Sequence, residues 1–244
     1  MQIITTAIQK GGATKTSTIA ALAQAAVYKG LRVLAIDADS QGNLSYALDA
    51  KNESCDTLAL LEGVPAHELI QTTSQGVDVI ASNWNLATIT SRRGSARRLQ
   101  KALETIRGEY DLVLIDTPTT PGELVYKALQ AADGVIIPCC TDAYNMQSIY
   151  QTSMLIDQFK QSNPALEVTG LLLTRYSTRT NFAKDVREMI KKQAEALRVP
   201  YLGEVREGSA VQKAAFLRKS LYKYDKRSNP AKDYLQVLAQ IMEV

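Results

Sequence analysis

Gln9-Lys10-Gly11-Gly12-Ala13-Thr14-Lys15-Thr16-Ser17 is the stretch that decides the fold. It follows an apolar, isoleucine-rich run at residues 3–8 and precedes a helix-like, alanine-rich run at 20–27. Strand, glycine turn, Lys-Thr and helix, in that order, is what a nucleotide's phosphates require. Successive backbone N–H groups and a helix N-terminus then converge on one anion. Lys15 adds a point charge, and the Thr16 hydroxyl suits a Mg²⁺ shell. Lys10, Gly11, Gly12, Ala13, Thr14, Lys15, Thr16 and Ser17 are therefore the candidate phosphate-binding residues. Lys10 is the most discriminating of them, because most phosphate-binding loops need no cation before their glycines. The competing readings are a glycine-rich turn with no ligand and a solvated loop lysine.

Outward from this loop, short apolar runs alternate with helical patterns. Strands are expected at residues 3–8, 33–36, 77–80, 112–115, 135–137 and 168–173, all dense in Val, Ile and Leu without polar alternation. Such runs suit strands buried on both faces. Helices are expected at 16–28, 96–106, 123–131, 146–161 and 182–197, with a last one at 230–242 opened by Asn229 and Pro230. This rhythm predicts an α/β fold, a mainly parallel twisted sheet flanked by helices, with ligands gathered at the carboxyl ends of the strands. No repeat or linker-like tract interrupts it, so one domain over residues 1–244 is expected.

Two further segments carry chemistry. Asp37-Ala38-Asp39-Ser40-Gln41-Gly42-Asn43 leaves the second expected strand with carboxylates at alternate positions. Leu112-Val113-Leu114-Ile115-Asp116 ends the fourth with an aspartate after four apolar residues, the Walker B form, in which a carboxylate holds the Mg²⁺ shell. Each is a weak signal alone, since aspartates at strand ends also cap helices and turns. In the right order behind a phosphate loop they make an Mg-ATP site.

Residues 10–17 resemble the deviant Walker A loop, Lys-Gly-Gly-x-Gly-Lys-Thr-Thr, of the ParA/MinD family of dimerising ATPases, a P-loop NTPase fold. Residues 37–43 are similar to that family's Asp-x-Asp-Pro-Gln-Gly-Asn segment, with Ser40 for proline. Ala131-Ala132-Asp133-Gly134-Val135-Ile136-Ile137-Pro138 and Tyr224-Asp225-Lys226-Arg227-Ser228 also look like family segments, so the resemblance covers nearly the whole chain. It fits the short ParA form without a leading helix-turn-helix. The resemblance implies ATP and Mg²⁺ as cofactors and slow hydrolysis. Lys10, Lys15 and Asp39 would be catalytic, with Asp39 placing the attacking water and Asp37 supporting the loop. Thr16, Asp39 and Asp116 would serve the metal, and Thr174 and Arg206 would border the adenine. Lys10 would reach across a sandwich homodimer to the partner's phosphates, which links ATP binding to dimerisation.

Two departures stand out. The family's glycine before the second lysine is Thr14 here, a β-branched residue that resists a positive φ. At positive φ, strain of roughly 1–3 kcal/mol would impair binding or hydrolysis. Ser17 for threonine is milder.

A net charge of +3 is too small to prove a nucleic-acid partner. Clustering is more telling: residues 206–227 hold seven basic side chains against two acids. Arg179-Thr180-Asn181 matches a family segment whose arginine contacts DNA without reading sequence. Arg179, Lys213, Arg218 and Lys219 are therefore the candidate DNA contacts, with non-specific double-stranded DNA and a ParB-like adaptor as partners. Arg92, Arg93, Arg97, Arg98 and Lys101 read instead as a solvated helix face. No run approaches the length of a membrane span and no leader is apparent, and the resemblance implies a cytoplasmic, nucleoid-associated protein that does not target membrane. Cys55, Cys139 and Cys140 read as buried reduced thiols, and His67 as a surface helix residue. The alternatives are a positioning ATPase with a protein-assembly cargo, a nucleotide-binding switch slowed by Thr14, and a ligase on the same fold.

Overall fold

The protein is described from a computed structural model covering residues 1–88, 97–142 and 145–242. Eight strands form its sheet: β1 (Gln2–Thr6), β2 (Val33–Asp37), β3 (Gln71–Thr72), β4 (Asp78–Ile80), β5 (Leu112–Asp116), β6 (Gly134–Cys140), β7 (Glu167–Tyr176) and β8 (Tyr201–Arg206). Their order is β3-β4-β2-β5-β1-β6-β7-β8, and only the β3–β4 pairing is antiparallel. From β1 the chain passes to β2 on one side and later crosses to β6 on the other. The switch point of the sheet therefore lies beside the carboxyl end of β1, where open α/β sheets hold ligands.

The apolar strands look continuous in sequence because their residues alternate between two cores. Leu34, Ile36, Val113 and Ile115 join one face; Val33, Ala35, Leu112 and Leu114 join the other. Period-2 side chains thus feed both sides of one sheet. α5 (Arg98–Glu104), α6 (Glu123–Ala131), α7 (Asn145–Lys160) and α8 (Asn181–Leu197) lie along the chain at expected places. So do α1 (Lys15–Tyr28) and α11 (Asn229–Met242). α1 is buried almost all round, sandwiched between the sheet and α11, which explains its alanines: small side chains permit close approach on every side. Tyr234, Val237, Leu238 and Ile241 of α11 are buried in the same core.

The expected elements needed several corrections. β1 stops at Thr6 because Ala7 already leaves the strand, and β7 runs three residues past its expected end. β3 and β8 were not anticipated. β3 has two residues, and β8 interrupts its apolar positions with Gly203 and Glu204, as an edge strand exposed on one side can. The short helices α2 (Asn43–Ala47), α3 (Asp56–Glu62), α4 (Ala66–Leu69), α9 (Ser209–Phe216) and α10 (Leu221–Asp225) were also missed. α5 begins at Arg98; Ala96, Arg92 and Arg93 lie outside the described residues. Of the three free thiols, Cys139 is buried, whereas Cys55 and Cys140 are partly exposed. His67 is an exposed residue of α4. No helix among the described residues is long and apolar enough to cross a membrane.

Candidate nucleotide site

The phosphate loop joins β1 to α1 at the switch point. Gly12 has φ 72°, a left-handed conformation free of cost for glycine. Thr14, at the N-cap of α1, has φ 63° and ψ 20°, so the conformation that would strain this residue is the one it adopts. Its carbonyl accepts the first helical bond, from Thr18 N–H at 2.8 Å. Its hydroxyl donates to the Thr174 hydroxyl at 2.8 Å.

Lys15 is 7% exposed and folds back over the loop, its Nζ 3.3 Å from Thr119 Oγ1 and 3.5 Å from the Ile8 carbonyl. Burial lowers its ammonium pKa, while the nearby Asp116 and Asp39 carboxylates oppose that shift. A buried cation held only by such long contacts is arranged for an anion to displace them. Lys10 Nζ lies 2.8 Å from Asp142 Oδ2 of its own chain, an ion pair off the hydrogen-bonding direction.

Three carboxylates meet at the ends of β2 and β5, which pair in register through Asp37 and Asp116. Asp37 is fully buried and holds the following turn, accepting from Ser45 N–H at 2.8 Å, Ser45 Oγ at 2.7 Å and Asp39 N–H at 3.1 Å. Asp39 accepts from Gln41 N–H at 3.0 Å and closes the turn before Gly42. Asp116 Oδ2 accepts from Thr16 Oγ1 at 2.6 Å. Burial, first, and then the charge of Asp37 push the Asp116 carboxyl well above its ordinary range; burial also raises Asp37. Asp116 Oδ1 is buried with no hydrogen-bond partner. An unpartnered, buried carboxylate oxygen beside a Thr hydroxyl fits a Mg²⁺ shell. Among the described residues no three His, Cys, Asp or Glu form a protein-only metal cage.

Beyond the loop opens a cavity of about 330 Å³, lined among others by Thr14, Ser17, Thr174, Arg206 and Tyr234. Thr174 and Arg206, paired with adenine from the sequence, thus meet in one pocket against the loop. Arg206 has a second engagement that sequence reasoning missed: its guanidinium grips Asp233 at 2.6–3.2 Å, and Asp233 Oδ2 also accepts the Arg206 N–H at 2.8 Å. Val205, beside Arg206 in the loop expected to border the base, lines the same pocket, whereas Glu207, Gln212 and Tyr234 were missed as pocket walls. Only Tyr234 had a signal, its helical spacing, and that pointed to core.

The four candidate DNA residues are exposed. Arg179 follows β7 and Lys213 lies on the helix after β8, so both occupy the carboxyl edge of neighbouring strands. Lys219 leads into α10. Arg218 is tied down: it ion-pairs with Asp49 at 3.5 Å and its guanidinium lies 4.3 Å from the Tyr46 ring centroid.

Fold and loop together define the class, a P-loop ATPase with a second lysine ahead of its glycines. Comparison with known proteins narrows it. A family profile described as "AAA domain" matches residues 1–168. "Chromosome partitioning protein ParA" of Myxococcus xanthus is 32% identical over 99% of this chain and 88% of its own. "Sporulation initiation inhibitor protein Soj" of Bacillus subtilis is 32% identical over 98% of both chains. Cobyrinic acid a,c-diamide synthase of Mycobacterium smegmatis, solved with ADP and magnesium, superposes with a TM-score of 0.81 at 28% identity, over 96% of this chain and 91% of that one. The chain belongs to the ParA-type family of partition ATPases, and it is an ATPase.

Proposed function

We propose that this protein is an ATP-dependent DNA-partition ATPase whose Mg-ATP-bound homodimer holds non-specific double-stranded DNA. A ParB-like adaptor stimulates hydrolysis and releases it. The observation that carries this reading is a phosphate loop with a second lysine, in a chain that matches, over nearly its whole length, relatives named as chromosome partitioning proteins.

ATP with Mg²⁺ supplies the phosphoryl group to be transferred and the divalent charge that neutralises it. Around it each residue has a separate task. The amides of residues 11–17 and Lys15 bind phosphate; Thr16 and Asp116 serve the metal shell; Asp39 orients the attacking water. Thr174, Arg206 and the cavity beside Thr14 take the base, with Arg206 fixed by Asp233 so that it walls the pocket without closing it. Lys10 exchanges Asp142 for phosphates across the dimer, which makes dimerisation depend on ATP. Arg179, Lys213 and Lys219 contact the DNA backbone. Arg218 joins them only by leaving Asp49. The whole machinery lies in one domain, residues 1–244, and works on the nucleoid in the cytoplasm, away from membrane.

Binding to random-sequence duplex DNA with ATP, ADP or no nucleotide, over a salt series with phosphate release followed in parallel, tests this. ATP-specific binding that weakens steeply with salt is expected. Binding indifferent to nucleotide, or none at low salt, overturns the DNA reading. A second reading, a switch with little turnover, is favoured by the left-handed Thr14; DNA binding with ATP but scarcely any phosphate release would select it.

A further inference from the structure

A threonine at a helix N-cap ordinarily turns its hydroxyl onto the backbone N–H of the second or third helical residue. Thr14 makes no such bond. Its left-handed backbone sends the side chain the other way, to Thr174. Donor accounting fixes the direction of the bonds. The single hydroxyl proton of Thr174 goes to the Cys139 carbonyl at 3.0 Å, so Thr174 accepts from Thr14. Beside it the Cys140 thiol lies 3.5 Å from both the Gly12 carbonyl and the Thr174 hydroxyl, and its one proton serves one or the other. The Thr14–Thr174 bond therefore fastens the phosphate loop to the end of β7, across 160 residues of sequence. Thr174 is 1% exposed and Thr14 partly exposed, so the tie lies at the wall of the pocket.

We propose that Thr174 is a positioning residue: by engaging the Thr14 hydroxyl it holds Thr14 left-handed and keeps it from capping its own helix, leaving the first-turn amides of α1 to the phosphates. Released, Thr14 returns to the extended backbone that β-branched residues prefer, and its hydroxyl competes with the anion for those amides. In effect, Thr174 stands in for the conformational freedom that a glycine at position 14 would have. This inference rests on the placement of the phosphates in this loop.

The test is the affinity of a fluorescent N-methylanthraniloyl-ATP for Thr174→Val, Thr174→Ser, Thr14→Gly and the Thr14→Gly/Thr174→Val pair, with Lys15→Ala as control. Melting of the nucleotide-free proteins checks that each folds. Thr174→Val should weaken binding about ten-fold, and Thr174→Ser, which keeps the hydroxyl, should stay near wild type. Adding Thr14→Gly to Thr174→Val should restore affinity, since glycine needs no support at positive φ and has no hydroxyl to compete. Unchanged binding by Thr174→Val, equal losses for valine and serine, or no rescue by Thr14→Gly overturns the proposal. Undiminished binding by Lys15→Ala instead removes the phosphates from this loop, and the proposal falls with that placement.

Discussion

Replacing Thr14 by alanine and by glycine separates backbone strain from the hydrogen bond that offsets it. At φ 63° and ψ 20° an L-residue is destabilised by about 1–2 kcal/mol. The 2.8 Å bond to Thr174 returns about 0.5–1.5 kcal/mol. Alanine loses the bond and keeps most of the strain, so the unfolding free energy should fall by about 1 kcal/mol. Glycine also loses the bond but relieves the strain, against about 0.5–1 kcal/mol of extra chain entropy; its net effect should be near zero. Glycine should therefore exceed alanine by roughly 1 kcal/mol, the reverse of their order inside a helix. For a chain of this size that is about 2–4 °C in melting temperature. Far-UV circular dichroism of the nucleotide-free proteins is the assay, because the single tryptophan, Trp84, is 73% exposed and a poor reporter of folding. An alanine variant melting at or above the glycine variant would refute the reasoning, for position 14 would then carry no left-handed strain.

Four other outcomes are expected. Lys10→Ala should abolish ATP-dependent dimerisation in light scattering while monomeric nucleotide binding survives; dimers persisting with ATP would remove Lys10 from the interface. Arg179→Glu should weaken DNA binding on all sequences alike and leave nucleotide affinity intact, and unaltered DNA affinity at moderate salt would count against that surface. At Gly42, φ is 64° and an added Cβ would meet the Ser82 carbonyl oxygen at 2.8 Å. Gly42→Ala should therefore cost at least the 1–2 kcal/mol of a left-handed residue, seen as a lower urea midpoint, and a wild-type midpoint would contradict it. Hydrogen bonds from Arg32 hold the Asp111 carboxyl down at about 2. That stabilisation is present above the ordinary carboxylate range and is lost as pH falls through the folded value. Asp111→Asn should melt below wild type at pH 7, with the gap closing toward pH 2; a gap that persists would show the loss is not electrostatic.

The parts legible in the sequence were those written in consecutive residues. The Lys10–Ser17 loop, the Asp37–Asn43 turn and the Leu112–Asp116 strand each carry their backbone geometry and chemistry within a few positions, so local rules suffice. Strands buried on both faces were read for the same reason. The edge strand β8 was missed because its outer face is exempt from the apolar requirement. The short helices escaped because four to eight residues show less than two or three turns of periodicity. Arg206 was recognised as a pocket residue, but nothing near it announces Asp233, 27 positions later.

By itself, the sequence determined the class of fold, the loop between β1 and α1, the aspartates at the ends of β2 and β5, and the family. Each follows from local hydrophobic period, glycine content and side-chain type. Only the tertiary structure decided the sign of φ at Thr14, its bond to Thr174, the Lys10–Asp142 ion pair, and which basic residues stand free. These are set by contacts between segments that strand order brings together. A dihedral at one residue is chosen by the sum of distant contacts it permits, and no stretch of neighbouring residues contains that sum.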